Sequence, residues 1–427
     1  MRGNDPLRLV LGLVMLCGLA TSALSGAQTP RGTAQVVAVR AGRLFDVKTG
    51  TNLANQVVLI RGDRIADVGP ANRVQIPSDA RVIDLSQATV LPGLIDGHVH
   101  ITDAAATPAQ AARSATDSLK AGFTTQVTMG SHGGKYMDVE LRNEIDSGKV
   151  QGPRLLPAGP VLGTNELPAK GPDAFRAGVR DLHDHGADHV KIMMTGAHSY
   201  KPNGEMENEA ITTAEEIKAA VEEAHRLNMF VAVHAYGGDG LKSSIAAGVD
   251  DIQHAMGADD ADIQALLKRN LPITSTILDL RQDEPGDLKK YQTYSAWRTQ
   301  QQMWIKMMKA GVRLGFGSGA TPVTNGRGRI FNEACQCSHG VQGEMFPVLV
   351  KWGATPAYTL RMATAYNAEI LHKQDSLGAV DKGKFADLIA VTGDPLRDIT
   401  EMQRVKFVMK GGEVVKNDLT PSRTSAR

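Results

Sequence analysis

The chain has 427 residues, 42% of them hydrophobic and 22% charged, an ordinary globular balance with ample length for a large core. Its formal net charge is +1 and it carries no long basic run, which argues against nucleic acid as a partner. Such a length suits one barrel of about 250 residues with a smaller accessory domain.

In chain order, residues 1–27 read as a secretory signal. Arg2 and Arg8 flank its start, residues 9–20 form an apolar run, and the small residues Ser25, Gly26 and Ala27 suit cleavage after Ala27. The run is shorter than the roughly 20 residues that a spanning helix needs. Cys17 follows the bulky Leu16, a poor context for lipoprotein processing. The expectation is an exported bacterial protein, periplasmic or secreted, with no stable membrane anchor after cleavage. Only Cys335 and Cys337 then remain, too few for a disulfide framework.

Residues 28–88 show short β-like runs at 37–39, 57–61 and 81–83, with Gly62-Asp63 as a turn signal. The same texture returns over 374–427, with runs at 386–391 and 405–409 and a Gly411-Gly412 turn. Two β-rich ends flanking a long middle predict one small β-sandwich assembled from both.

The middle, residues 89–373, alternates strand and helix. Candidate strands lie at 89–95, 124–127, 154–158, 189–193, 230–234, 251–254, 273–276 and 313–317. The helix before the fifth strand has the clearest signature. Thr212 and Thr213 with Glu215 and Glu216 make overlapping capping boxes, and Ile217, Ala220, Val221 and Ala224 form one apolar face. The fold class is α/β: a (β/α)8 TIM-type barrel plus the β-sandwich, with chemistry expected at the carboxyl ends of the barrel strands.

Leu91-Pro-Gly-Leu-Ile-Asp-Gly-His98-Val-His100 runs the first barrel strand into two histidines. Residues two apart in extended backbone point the same way, so both imidazoles can reach one ion. Imidazole suits zinc and its neighbours in the first transition series. Lys191 lies in the fourth strand, and His234 and His254 close the fifth and sixth. Each histidine alone reads as a hydrogen-bonded structural residue. Four of them with an inward lysine at barrel strand ends point to a metal site.

These strand ends, together with Lys382-Gly-Lys-Phe-Ala-Asp-Leu-Ile-Ala-Val and Phe407-Val-Met-Lys-Gly-Gly, resemble the amidohydrolase superfamily. Within it, the chain resembles the branch of Xaa-Pro dipeptidase-like enzymes and imidazolonepropionase relatives, over about residues 36–418. The resemblance implies two divalent metal ions, with zinc first among the candidates. His98 and His100 would bind one and His234 and His254 the other, with Lys191 carboxylated to bridge them. A buried lysine loses its proton readily, and only the neutral amine can react with carbon dioxide. Two such cations lower the pKa of a water between them. By the same resemblance Tyr236 would hold a substrate carboxylate.

The family ends its eighth strand with an aspartate, whereas this chain reads Gly315-Phe-Gly-Ser-Gly-Ala-Thr-Pro322. Either Gly319 replaces that aspartate or two residues are lost ahead of Ser318. Glu333 on the following loop is the candidate replacement acid. His198 and Tyr200 on the loop after the fourth strand face the expected cleft, as do Arg327, Arg329 and His339 after the eighth. Of these, His198 and His339 are taken as substrate-binding candidates. Cys335, Cys337 and His339 alternate, which reads as loop structure before it reads as a metal site. His183, His185 and His225 fall on helical segments and read as surface.

The reading is an exported, metal-dependent amidohydrolase cutting amide bonds of small peptides or N-acyl amino acids, with lactones, cyclic amides and mycotoxin amides left open. The alternative is a binding protein, or an impaired enzyme, that keeps the barrel scaffold without the aspartate. The partner is a small-molecule or peptide substrate, and a homo-oligomer stays open.

Overall fold

The computed structural model describes residues 35–102, 106–132, 134–200, 206–276, 296–323, 331–332 and 336–419, and side chains for all of these except 197–200, 206–207, 275, 296–300, 331–332 and 336. The expected signal at residues 1–27 lies outside them. Among the described residues no helix is long and apolar enough to cross a membrane.

The amino-terminal β texture forms β1 (Val37–Asp46), β2 (Thr51–Arg61), β3 (Arg64–Pro70) and β4 (Arg81–Pro92). The barrel strands follow as β5 (Leu94–Val99), β6 (Phe123–Thr128), β7 (Arg154–Leu156) and β8 (His189–Met193). A hairpin of β9 (Thr195–Tyr200) and β10 (Met206–Ala210) leaves the top of β8. The ring continues with β11 (Phe230–Gly237), β12 (Asp251–Gly257), β13 (Ile273–Thr276) and β14 (Leu314–Gly317). The short pair β15 (Phe331–Asn332) and β16 (Gln336–Cys337) comes next. β17 (Leu388–Val391), β18 (Phe407–Lys410) and β19 (Glu413–Asn417) then return to the first sheet.

That first sheet is one hydrogen-bonded array in the order β19-β18-β17-β4-β1-β2-β3, so the two chain ends share it rather than each making its own. β4 is the join. It pairs parallel with β1, Leu44 opposite Val90, and antiparallel with β17, Leu91 opposite Ile389. Val39, Val58, Ile60, Leu85, Val90, Leu388 and Phe407 form part of a buried core that belongs to this sheet.

The barrel strands pair parallel as β5-β6-β7 and as β8-β11-β12-β13-β14. Parallel bridges Leu162 to Ile192 and Val99 to Ala320 join these arcs at both seams and close the ring. Asn367 secures the second seam through its side chain. Its amide nitrogen donates to the carbonyls of Ile95 (2.9 Å) and Phe316 (2.8 Å), and its oxygen accepts from Phe316 N–H. Helices α1 (Pro108–Lys120), α2 (Met137–Asp146), α3 (Pro172–Asp184), α4 (Ala214–Arg226), α5 (Gly238–Ala247), α6 (Asp260–Arg269), α7 (Ala296–Ala310) and α8 (Met345–Lys351) surround the ring. α4 begins with the expected box, Thr213 and Glu216 capping each other. Thr212 does something else: its hydroxyl donates to the Met193 carbonyl at the end of β8.

The expected first barrel strand, 89–95, straddles a break. Residues through Pro92 belong to the shared sheet, and the barrel strand starts at Leu94. Gly93 makes the transfer, because a Cβ there would stand 2.1 Å from Thr124 Oγ1 and 2.9 Å from Thr124 Cβ. Threonine is stiff at χ1 and cannot swing clear. Gly93→Ala is therefore expected to destabilise by about 1–3 kcal/mol through overpacking. Thr124→Gly in the same chain should recover most of that loss. An unchanged denaturant midpoint for Gly93→Ala would show that the two sheets do not touch so closely.

Candidate metal centre

Each ligand candidate stands where a barrel strand ends. His98 is buried within β5 and His100 follows it by two residues, with their Nε2 atoms 3.1 Å apart. Two nitrogens bound tetrahedrally to zinc at 2.0–2.1 Å lie about 3.3 Å from each other, so this pair is close to ligand spacing as it stands. His254 on β12 and His234 on β11 complete the cluster, with ring centroids 5.4 Å (His98 to His254) and 4.6 Å (His234 to His254) apart. His254 and Ala255 both have positive φ, +80° and +53°. Non-glycine residues adopt that region rarely, and such strain clusters at functional sites.

The outer ring nitrogens show which way the lone pairs face. His98 Nδ1 lies 2.7 Å from Gln253 Oε1, an acceptor, so that nitrogen carries the hydrogen and Nε2 keeps its lone pair. Gln253 is itself held, its Nε2 donating to Asp251 Oδ2, while Asp251 accepts from Thr274 N–H. His254 Nδ1 lies 2.9 Å from Thr276 Oγ1. Such outer contacts orient metal-binding histidines.

Burial favours the neutral imidazole at His98, His100 and His254. It pushes His98 and His254 well below the usual histidine range and His100 down to about 3, with neighbouring cations adding to the effect. Lys191 is buried on β8, and its Nζ has no hydrogen-bond partner among the described residues. Burial pulls its pKa down to about 7, against the opposing pull of the Asp251 carboxylate. Its charge acts on His98, His100 and His254, pushing each further down. A buried amine without a partner, on the strand next to that of His234, together with four clustered imidazoles, is a donor set that suits a divalent metal. Among the described residues no group of three or more His, Cys, Asp or Glu side chains is placed to hold a metal ion as it stands.

The eighth strand delivers no carboxylate. β14 pairs with β13 without a register break and is followed at once by Ser318 and Gly319, neither of them acidic. Gly319 donates its N–H to the His98 carbonyl at 2.7 Å. Ser318 turns away, its hydroxyl donating to the buried Asp96 at 2.5 Å. Burial lifts Asp96 to about 7, offset in part by the Ser318 contacts.

The other candidates disperse. Tyr236 is at the site, its ring 4.4 Å from His234 and 5.2 Å from His254. His339 is buried, with Nδ1 2.8 Å from Ser118 Oγ on α1. It is near enough to His100 to lower that residue's pKa. His198 lies on β9, where its side chain is not described, and Glu333, Cys335, Arg327 and Arg329 lie outside the described residues. Cys337 is a buried free thiol. His183, His185 and His225 stand at the surface, and His185 stacks on Tyr136.

Two residues absent from the sequence reading belong to the centre: His132, just past β6, and Glu166, in the loop after β7. The rule that barrel chemistry gathers in loops after the strands points to both.

A parallel barrel with imidazoles and a buried lysine gathered at one end is a framework found in hydrolases of the family that this chain matches. Residues 89–415 match the amidohydrolase family, and the chain belongs to it. The chain is 25% identical to an ochratoxinase of Aspergillus niger, over 90% of this chain and 87% of that one. It is 26% identical to an adenine deaminase 2 of Rhizobium johnstonii, over 88% of this chain and 56% of that one. Among solved structures, it resembles a Xaa-Pro dipeptidase with methionine bound in its active site. There the identity is 28% and the TM-score 0.77, over 90% of this chain and 100% of that one. A putative prolidase from Bifidobacterium longum gives 26% and 0.75, over 90% and 95%.

Proposed function

We propose that this chain hydrolyses carbon–nitrogen amide bonds in small peptides or N-acyl amino acids, and that it needs divalent metal to do so. The observation that carries the reading is the gathering of His98, His100, His234 and His254 against one another, with the buried Lys191 amine, unpartnered among the described residues, on β8, the strand next to that of His234. On this reading His98 and His100 hold one ion and His234 and His254 a second, with zinc as the first candidate. Lys191, carboxylated, lies between them. Bound divalent ions supply Lewis acidity, which activates water and polarises a scissile carbonyl.

The chain's own groups do the rest. Gln253 holds His98 in the tautomer with its lone pair on Nε2, and Thr276 orients the His254 ring through Nδ1. Tyr236 flanks His234 and His254 and is the candidate to bind the substrate's terminal carboxylate. Glu333 remains the candidate to protonate the departing amine. The dipeptidase and prolidase likenesses put Xaa-Pro dipeptides first on a substrate panel, and the ochratoxinase relative adds ochratoxin.

The deciding experiment combines metal analysis with that panel. Protein prepared with zinc and bicarbonate is expected to hold close to two ions per chain and to hydrolyse at least one amide on the panel. A chelator should abolish turnover and added zinc should restore it. Turnover indifferent to chelation would sink the metal mechanism. Metal without turnover on any amide would favour the binding-protein alternative.

A further inference from the structure

A short relay reaches His100 from outside the expected ligand set. His100 Nδ1 lies 3.1 Å from His132 Nε2, and His132 Nδ1 lies 2.5 Å from Glu166 Oε1. The other carboxylate oxygen of Glu166 accepts from Val161 N–H at 2.9 Å. The Glu166 N–H reaches the Thr164 hydroxyl, which donates to the Val161 carbonyl. The His132 ring has a made place: Gly130 has φ +130°, and a Cβ there would stand 2.7 Å from both His132 Cε1 and Val161 Cγ2. Only a glycine lets the ring lie there.

The Glu166 carboxylate only accepts, so His132 Nδ1 carries the hydrogen of that contact. With His132 Nε2 accepting from His100 Nδ1–H, the lone pair of His100 falls on Nε2, beside His98 Nε2. His98 is held through the amide of Gln253, behind which lies the buried Asp251, and His254 by the Thr276 hydroxyl, while the relay behind His100 runs through a second imidazole to the partly exposed Glu166 carboxylate. The strand end where the family has an acid carries Ser318 and Gly319 in this chain and no carboxylate among the described residues 314–323.

We propose that His132 and Glu166 are positioning residues that fix His100 as a metal ligand and lend the centre negative charge in place of the carboxylate that Ser318 and Gly319 do not supply. The proposal rests on the metal-hydrolase reading. Loss of such an outer partner typically costs 10–100-fold in metal affinity.

The test is zinc affinity of the full chain, stripped of metal and titrated against a chromophoric chelator, for wild type, His132→Gln, Glu166→Gln and the double variant. Each single variant is expected to weaken the tighter zinc about 10–100-fold. The double variant should be no weaker than His132→Gln alone, because the two groups act in series and their effects do not add. Glu166→Gln is isosteric and its metal-free melting temperature should match wild type, which separates lost positioning from lost folding. Wild-type affinity in both single variants would overturn the proposal. So would the loss of one whole ion in His132→Gln with Glu166→Gln unaffected, since His132 would then be a ligand itself. A wild-type chain that holds no zinc would sink the metal-hydrolase reading, and the proposal with it.

Discussion

Lys191→Met is expected to give a protein that is more stable than wild type in chelator and inactive with metal. The Lys191 Nζ is buried without a partner among the described residues, and a buried polar group left unpaired costs about 1–3 kcal/mol on mutational scales. Methionine keeps the length and volume of the stem and removes the amine. A gain of about 1–3 kcal/mol in metal-free unfolding free energy should follow, read from the denaturant midpoint. Zinc content should fall, and turnover should drop by at least about 10³-fold if Lewis acidity contributes several kcal/mol. Stability and function thus pull in opposite directions at one side chain, as at many active sites. A less stable variant that keeps its zinc and its turnover would show a lysine retained for packing alone.

Gly319→Asp is expected to raise turnover. The position follows β14 beside His98 and sits at φ +59°, a region that aspartate tolerates better than most residues. A carboxylate there would restore the acid–base group that the family carries at this strand end. General acid–base catalysis commonly contributes 10²–10⁴-fold, and kcat should climb by an amount of that order with KM little changed. The measurement is steady-state kinetics on the best amide from the panel, with metal loaded. An unchanged kcat would mean that another group, Glu333 first among the candidates, already moves the proton. A fall in zinc content would mean that the site closes around Gly319 and leaves no room for a side chain.

The parts of the site written along strands were the legible ones. His98 and His100 sit two apart in extended backbone, and His234 and His254 lie on β11 and β12, whose apolar character marks them as strands. Both strands run on past these histidines to Gly237 and Gly257, a boundary that periodicity does not register. The break at Gly93 is hidden for the same reason. Val90, Leu91, Leu94 and Ile95 are all buried, and what divides them is the approach of Thr124 from a strand still to come. His132 and Glu166 were legible only as residues of loops after barrel strands, not as a pair. They stand 34 residues apart on separate loops, and nothing local to either announces the other. Spatial pairing across loops is a property of the closed ring, not of any segment.

The shared sheet has a consequence for how the chain is made. β4 is flanked by β1, made just before it, and by β17, made almost last. During synthesis, which proceeds from the amino terminus, β4 therefore waits with one edge open while the whole barrel emerges. An open edge is a template for mispairing with other chains, and residues 388–391 are what finally cover it. The carboxyl-terminal strands, which bring no group to the metal centre, thus act as the late fastener of the strand that leads through Gly93 to His98. Truncation ahead of residue 388 should leave that lead strand half-paired, and the first harm should be aggregation of newly made chains rather than a change in chemistry.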